Sequence, residues 1–388
     1  MAHMKESLGQ VLLPGTFLHR LEAHNVARQA YEARIWLPPS YPESPKRHYP
    51  ILYMPDGDYC FGMAVDVARY LIRGKLVPDM IVAAVGYGSD RPPEEGGLDM
   101  RSRDLAPFVT DFSPEPRGEA FRLFLEQELV PFVESTYRAD PDLRAFYGFS
   151  LGGLFGLYVM LQSPDLFRRY ILVSPALTPS TSQIIDQAEA FVASEAKHPL
   201  SLYACVGELE LFVPLFTRLI EVLDRQTKAT LRFEWEIFPR GVHATAPAEA
   251  LAKGVRMALG SRSIYEAMYV AYKQGGIAPA KALYHDLRTR ADPDYNFAEE
   301  ELNSLGYMLL YRDKVHEAIE VFELNVLAYP QAWNAYDSLG EAYLASGNTC
   351  LAKTNYERSV ELNPKNEIGI AQLKKLSTAL RPPTLDGA

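Results

Sequence analysis

The sequence predicts an α/β fold with a mostly parallel central sheet, followed by an all-α domain. Between residues 30 and 260, short apolar runs alternate with amphipathic stretches, which is the pattern of strand–helix–strand units. After residue 261, Gly and Pro become sparse and a helical period takes over. We therefore expect an α/β domain over residues 10–260 and a helical domain over residues 261–380. Residues 1–9, which begin Met-Ala-His-Met, are expected to be a tag remnant and an N-terminal tail with no signal peptide.

Composition and charge exclude several classes of function. The 388 residues are 48% hydrophobic and 23% charged, as in ordinary globular proteins. The 39 Lys and Arg against 49 Asp and Glu give a net charge of −10, which disfavours nucleic acid and anionic membranes as partners. No apolar run reaches the roughly 18 residues that span a bilayer. Three scattered cysteines, Cys60, Cys205 and Cys350, are typical of a reducing compartment. We expect a cytoplasmic protein.

Seven apolar runs are candidate strands, and helices are expected between them. The clearest helix places the apolar residues between Phe121 and Val133 on one stripe. Residues 86–118 are rich in Pro, Gly and charge, which predicts a long loop that borders a binding site. The expected strands are 33–37, 51–54, 80–85, 145–148, 170–173, 202–206 and 231–238, and further helices are expected to begin near residues 151, 211 and 244.

A repeat with a period of 34 residues organises the C-terminal domain. The matched pairs are Leu305 and Leu339, Gly306 and Gly340, Ala318 and Ala352, Phe322 and Tyr356, and Pro330 and Pro364. This pattern resembles the tetratricopeptide repeat, a helix–turn–helix unit, and its best copy runs over residues 332–364. Ala280, Leu283 and Tyr284 indicate a degenerate earlier copy. The resemblance implies a surface that binds a protein partner or pairs two chains.

The segment 148–153, Gly-Phe-Ser-Leu-Gly-Gly, carries the clearest chemical signal. It follows an apolar run and opens a helical stretch, so Ser150 lies at a predicted strand-to-helix turn. In such a nucleophile elbow the flanking glycines give the room that a sharp turn needs. The helix N-terminus adds a positive dipole and free N–H groups beside the serine. Ser150 is therefore the predicted nucleophile.

A serine nucleophile needs a general base, and in this arrangement the acid and the histidine follow the serine along the chain. Of the eight histidines, four precede Ser150 and two lie in the helical domain. His198 lies just before a predicted strand, at its wrong end. His243 follows the last predicted strand, in Arg-Gly-Val-His. The predicted base is His243.

The acid is expected just after the strand before last, where residues 207–214 read Gly-Glu-Leu-Glu-Leu-Phe-Val-Pro. This segment is similar to the hydrolase pattern Gly-x-x-Asp-x-x-Val-Pro, with Glu in place of Asp. When Gly207 and Pro214 are aligned with the ends of the pattern, Glu210 takes the position of the Asp, which favours Glu210 over Glu208. Both carboxylates could instead be favourable charges at the N-terminus of the next helix. Either one would orient the imidazole without taking its proton.

Two backbone N–H groups are expected to bind the oxyanion that forms during catalysis. One is the amide of Leu151, the residue after the nucleophile. The other is expected in residues 55–58, Pro-Asp-Gly-Asp, where Gly57 lets the turn approach the serine and Asp58 supplies its amide. Each such donor contributes roughly 3–4 kcal/mol to the transition state.

With these residues the α/β domain resembles the putative-esterase family of α/β-hydrolases, which includes siderophore esterases, S-formylglutathione hydrolases, feruloyl esterases and mycolyltransferases. The matching segments are 52–57, 148–153, 174–175 and 241–243. The resemblance implies an α/β-hydrolase sandwich that hydrolyses esters. Residues 101–107 look like the Arg-rich loop of the siderophore-esterase branch, so Arg101 and Arg103 are candidates to contact an anionic substrate or, alternatively, solvated loop residues.

The sequence leaves two classes of function open. The first is a serine esterase that acts on a small-molecule ester, with acyl transfer to another alcohol as a variant. The second is a scaffold, in which the helical repeats recruit a partner or pair two chains. The chain has no His-Glu-x-x-His, Cys-x-x-Cys or phosphate-binding glycine loop, so neither a metal nor a cofactor is expected.

Overall fold

The computed structural model describes residues 12–24, 29–87, 97–193, 199–225, 231–290 and 295–379. The chain divides into two compact units, Met1–Gly260 and Ser261–Ala388. The predicted tail, residues 1–9, lies outside the described residues. Among the described residues, no helix is long and apolar enough to cross a membrane.

The first unit is built on an eight-stranded sheet with the order β1-β2-β4-β3-β5-β6-β7-β8. The strands are β1 (Thr16–Ala23), β2 (Gln29–Trp36), β3 (Tyr49–Met54), β4 (Ile81–Gly86), β5 (Ala139–Phe149), β6 (Arg169–Val173), β7 (Leu200–Gly207) and β8 (Leu231–Phe238). β1 pairs antiparallel with β2, and β2 pairs antiparallel with β4. All further neighbours are parallel. The predicted α/β class with a mostly parallel sheet is confirmed.

Helices cover both faces of this sheet. They are α1 (Gly57–Arg73), α2 (Gly97–Leu105), α3 (Gly118–Phe124), α4 (Val130–Thr136), α5 (Leu151–Gln162), α6 (Gln183–Ala193), α7 (Val213–Leu223) and α8 (Ala246–Leu259). Successive side chains of a strand point to opposite faces. In β3, Ile51 and Tyr53 accordingly join one apolar core, and Leu52 and Met54 join the other. A strand that is buried on both faces is a continuous apolar run, which is why the sequence predicts β3 clearly.

The structure corrects two expectations about local structure. Residues 86–118, expected as a loop, contain helix α2 between Gly97 and Leu105, and residues 88–96 lie outside the described residues. The helix is polar along most of its length, so its apolar period is weak. The predicted helix between Phe121 and Val133 is interrupted by a π-helical turn over Leu125–Leu129, which separates α3 from α4.

Strand β1 was not predicted from the sequence. It lies at the edge of the sheet, where Phe17 and Leu18 remain largely exposed. An edge strand with a solvated face does not form the apolar run by which the other strands are recognised. The seven predicted strands each overlap an observed strand.

The second unit is helical, as predicted. Its helices are α9 (Ile264–Gly275), α10 (Ile277–Thr289), α11 (Glu299–Leu310), α12 (Val315–Ala328), α13 (Trp333–Ala345), α14 (Thr349–Leu362) and α15 (Glu367–Ala379), with the short parallel strands β9 (Arg262–Ser263) and β10 (Tyr295–Asn296). Gly306 lies against the ring of Phe322, and Gly340 lies against the ring of Tyr356. The tetratricopeptide assignment itself stays a prediction from the repeat pattern.

These two glycines predict different responses to the same substitution. A Cβ on Gly306 would lie 2.4 Å from the buried Phe322 ring, so we expect Gly306→Ala to destabilise the helical unit by about 1–3 kcal/mol. A Cβ on Gly340 would lie 3.2 Å from Tyr356, and Ala gains about 1 kcal/mol of helix propensity, so Gly340→Ala should be close to neutral. Urea unfolding followed by circular dichroism measures both, and equal effects would contradict this packing.

Candidate active site

The carboxyl edge of the parallel strands brings the predicted reactive side chains together. Ser150 follows β5, Glu210 follows β7 and His243 follows β8. Neighbouring parallel strands end at the same edge of a sheet, which is where open α/β sheets place their ligand sites. The loops after β5, β6, β7 and β8 therefore meet in sequence order along this edge.

Ser150 has a strained backbone conformation. Its φ of 58° and ψ of −117° lie outside the regions that L-residues usually adopt. The turn is tight: a Cβ on Gly148 would lie 2.1 Å from the carbonyl oxygen of Gly152, and one on Gly153 would lie 3.0 Å from the Cα of Pro175. Only glycine fits at Gly148, which explains why the turn needs it. The geometry is that of a nucleophile elbow, with the serine at the N-terminus of α5.

The His243 imidazole lies beside this serine. Its Nε2 is 3.0 Å from Ser150 Oγ, within hydrogen-bond distance. Two aromatic rings fix its position, Phe149 with a centroid distance of 4.6 Å and Phe212 with one of 5.4 Å. The His243 side chain is 40% exposed, so the imidazole can reach a substrate from the solvent side.

Glu210 completes the hydrogen-bonded chain. One carboxylate oxygen, Oε2, lies 2.6 Å from His243 Nδ1. The other oxygen, Oε1, accepts from the Ser174 hydroxyl and from the Gly207 N–H, each at 2.7 Å. An ionised carboxylate only accepts, so the imidazole proton lies on Nδ1 and leaves Nε2 free to accept from Ser150. The side chain of Glu210 is only 3% exposed.

The hydrogen bonds also keep this carboxyl group ionised. Burial alone would raise the pKa of Glu210. The bonds from the imidazole, the Ser174 hydroxyl and the Gly207 amide outweigh burial and hold the pKa below its ordinary value. The group is therefore a stable negative charge behind the imidazole at neutral pH.

Glu208, the other acid that the sequence left open, lies in a different place. It is exposed, and its carboxylate accepts a hydrogen bond of 2.7 Å from the amide of Arg240. Arg240 has a positive φ of 58°, in the turn that precedes His243. Glu208 thus stabilises the turn that carries the histidine, whereas Glu210 contacts the imidazole. His198, the other histidine that follows Ser150 within the α/β unit, lies outside the described residues.

The two predicted oxyanion donors lie at the N-termini of helices α1 and α5. Neither the amide of Asp58 nor that of Leu151 donates to another backbone group within the part of the chain that the structure describes. A Cβ on Gly57 would lie 2.9 Å from the Val85 carbonyl oxygen, so glycine lets this turn pass close to the sheet. The Asp58 carboxylate accepts from Arg34 at 2.6 Å, which fixes the residue whose amide would donate.

The two arginines considered for substrate contact are both paired with buried carboxylates. Arg101 donates through Nε and Nη2 to Asp56, which is 2% exposed, and its Nη2 also donates to the Phe149 carbonyl at 3.3 Å. Arg103 pairs with the fully buried Asp104. Arg101 thus links the turn before the predicted oxyanion donor to the strand that ends at the serine. Contact of either arginine with a substrate stays a prediction.

Four residues at the site have no role in the prediction from the sequence. Ser174, the neighbour of Pro175 in one of the matching segments, hydrogen-bonds to Glu210. Asp56 is the partner of Arg101. Phe149 and Phe212 hold the imidazole. The position of Ser174 directly after β6 could have indicated its role, because β6 lies between β5, which leads to Ser150, and β7, which leads to Glu210.

In the described residues, no group of three or more His, Cys, Asp or Glu side chains is arranged to hold a metal ion. The side chains that meet at this edge are a hydroxyl, an imidazole and a carboxylate. This set can add an oxygen nucleophile to an acyl carbon and transfer the proton that the addition releases.

Comparison with known proteins assigns the α/β unit to a family. A family model described as "Putative esterase" matches residues 25–246. The chain belongs to this esterase family. It is 31% identical over 217 residues to the ferri-bacillibactin esterase BesA of Bacillus subtilis, covering 51% of this chain and 72% of BesA. It is 32% identical over 167 residues to an apo-salmochelin esterase of Escherichia coli, covering 40% of this chain and 51% of that protein.

Solved structures share the fold. The BES protein from Bacillus cereus superposes with a TM-score of 0.59 at 24% identity, covering 66% of this chain and 99% of that chain. Family membership confirms that the protein is an esterase, which is the enzyme class that the sequence predicts.

The low pKa of Glu210 predicts how stability depends on pH. Because the folded pKa is lower than the unfolded one, the ionised carboxylate stabilises the fold above the unfolded value, and this contribution is lost as pH falls through the folded value. We expect the melting-temperature advantage of the wild-type protein over Glu210→Gln to be largest between about pH 5 and 7. It should shrink below about pH 4.5, the ordinary value for Glu.

Scanning calorimetry from neutral to acidic pH measures this difference. Glu208→Gln removes a nearby exposed carboxyl and is the matched control for general acid unfolding. An advantage over Glu210→Gln that does not change with pH would contradict the stabilised carboxylate.

Proposed function

We propose that the protein is a serine carboxylic-ester hydrolase in which Ser150, His243 and Glu210 form a catalytic triad. The observation that carries the proposal is the continuous hydrogen-bonded chain from Ser150 Oγ through the imidazole to Glu210, with distances of 3.0 and 2.6 Å. The strained elbow at Ser150 supports it, because such a backbone conformation concentrates at functional sites.

In the first half-reaction, Ser150 Oγ attacks the carbonyl carbon of the ester while His243 Nε2 takes the hydroxyl proton. The carbonyl oxygen becomes an oxyanion, which the amides of Leu151 and Asp58 bind. The bond to the alcohol oxygen then breaks, and the imidazolium gives its proton to that oxygen. The products of this half are the free alcohol and an ester of Ser150.

In the second half-reaction, water repeats the same steps. His243 takes a proton from water as the water oxygen attacks the acyl carbon. The bond between Ser150 Oγ and that carbon breaks, and the imidazolium returns the proton to Ser150. The acid is released. Glu210 stays ionised throughout and stabilises the imidazolium that forms in each half.

The substrate class that the relatives favour is a siderophore ester. The proteins named a ferri-bacillibactin esterase and an apo-salmochelin esterase are 31% and 32% identical to this chain over the aligned segments. The exposed imidazole allows access to a small-molecule ester. Partner binding or self-association through the helical unit stays a prediction from the repeat pattern, as does acyl transfer to another alcohol.

Turnover of p-nitrophenyl acetate and butyrate tests the triad. We expect kcat to fall about 10⁴–10⁶-fold in Ser150→Ala and in His243→Ala, because nucleophile and base act as one unit. Glu210→Ala should cost about 10²–10⁴-fold, since it leaves the imidazole without its orienting charge. Glu208→Ala is the matched control. Glu208 stabilises the turn before His243 but does not contact the imidazole, so we expect kcat to fall less than about tenfold.

If Glu208→Ala lost more activity than Glu210→Ala, the assignment of Glu210 as the acid would be wrong. Full activity of folded Ser150→Ala would overturn the mechanism. The substrate class is checked in the same assay: kcat/KM for a siderophore ester should exceed that for p-nitrophenyl butyrate by at least about tenfold, and an equal or lower value would contradict it.

A further inference from the structure

Ser174 lies at the centre of the site, in contact with the acid. It follows the last residue of β6, and this strand lies between the strands that carry Ser150 and Glu210. Its side chain is fully buried, and its amide donates to the Cys205 carbonyl of β7 at 2.7 Å. The residue is therefore held by the sheet and is not free to reach a substrate.

The Ser174 backbone is in the left-handed region, with a φ of 44°. Glycine adopts such a conformation without steric cost, whereas a residue with a Cβ adopts it only at a steric cost. A serine here contributes what glycine cannot, which is a hydroxyl group. That hydroxyl donates to Glu210 Oε1 at 2.7 Å.

The hydroxyl contacts the carboxylate oxygen that does not face the histidine. Oε1 of Glu210 accepts two hydrogen bonds, from Ser174 and from the Gly207 amide. Oε2 is then the oxygen left for His243 Nδ1, at 2.6 Å. The donors belong to the ends of β6 and β7, so the carboxylate is held between two strands of the sheet.

We propose that Ser174 is a positioning residue of the esterase, which acts on catalysis through Glu210 by fixing the rotation of its carboxylate. The inference rests on the proposed triad. Without the hydroxyl, Oε1 keeps a single donor and the carboxylate can turn about its Cγ–Cδ bond. The imidazole is then oriented less well during proton transfer. Because Ser174 does not reach the substrate, substrate binding is unaffected.

A double-mutant cycle with Glu210 tests the inference in the full-length protein. We expect Ser174→Ala to lower kcat for p-nitrophenyl butyrate about tenfold with KM unchanged. In the Glu210→Ala background, the same substitution should change kcat less than about twofold, because the group through which Ser174 acts is already absent.

Ser174→Gly separates the hydroxyl from the backbone. It removes the same hydroxyl but relieves the positive φ, so we expect a higher melting temperature than for Ser174→Ala and the same loss of kcat. Two results would overturn the inference. One is a wild-type kcat in Ser174→Gly. The other is a double variant in which kcat falls by the product of the factors lost in Ser174→Ala and Glu210→Ala. A Glu210→Ala variant with wild-type kcat would instead remove Glu210 from the triad, and the inference would fall with it.

Discussion

The parallel pairing of the strands from β3 through β5, β6 and β7 to β8 is the constraint on which the site depends. Strands that run the same way end at one edge, so five consecutive strands can each place one component there. β3 leads to the predicted oxyanion turn, β5 to Ser150, β6 to Ser174, β7 to Glu210 and β8 to His243. Residues that are up to 185 positions apart in the chain, 58 and 243, are brought to one edge in this way. A slip in the pairing of β7 with β8 would separate Glu210 from His243.

Buried charge is the second organising feature, and each buried carboxylate at the site is paired. Asp56 is bound by Arg101, and Glu210 by His243. For the Asp56–Arg101 pair, whose side chains are 2% and 14% exposed, removing one partner should cost about 3–5 kcal/mol, because the remaining charge has no solvent to compensate it. The proposed triad uses the contact between Glu210 and His243. A carboxylate that is ionised and fixed before the substrate arrives needs no reorganisation when the imidazolium forms.

The sequence predicted what depends on local pattern. Apolar runs identified the strands that are buried on both faces, and glycine spacing identified the turn at Ser150. It did not predict β1, an edge strand with one solvated face, or α2, a polar helix with little apolar period. The choice of Glu210 over Glu208 depended on phase alone, and the role of Ser174 was not predicted. The hydrogen bonds that Glu210 makes with His243 and Ser174 depend on contacts between strands, which no single segment encodes.

Active-site labelling tests the central claim, an activated Ser150, most directly. The intact protein is treated with a fluorophosphonate, and the modified peptide is located by mass spectrometry. The account predicts one label per chain, on Ser150, and labelling at least about 100-fold slower in His243→Ala, because the imidazole takes the serine proton. The account would be contradicted if the folded protein were not labelled. It would also be contradicted if another serine were labelled at the same rate in the wild-type protein and in His243→Ala.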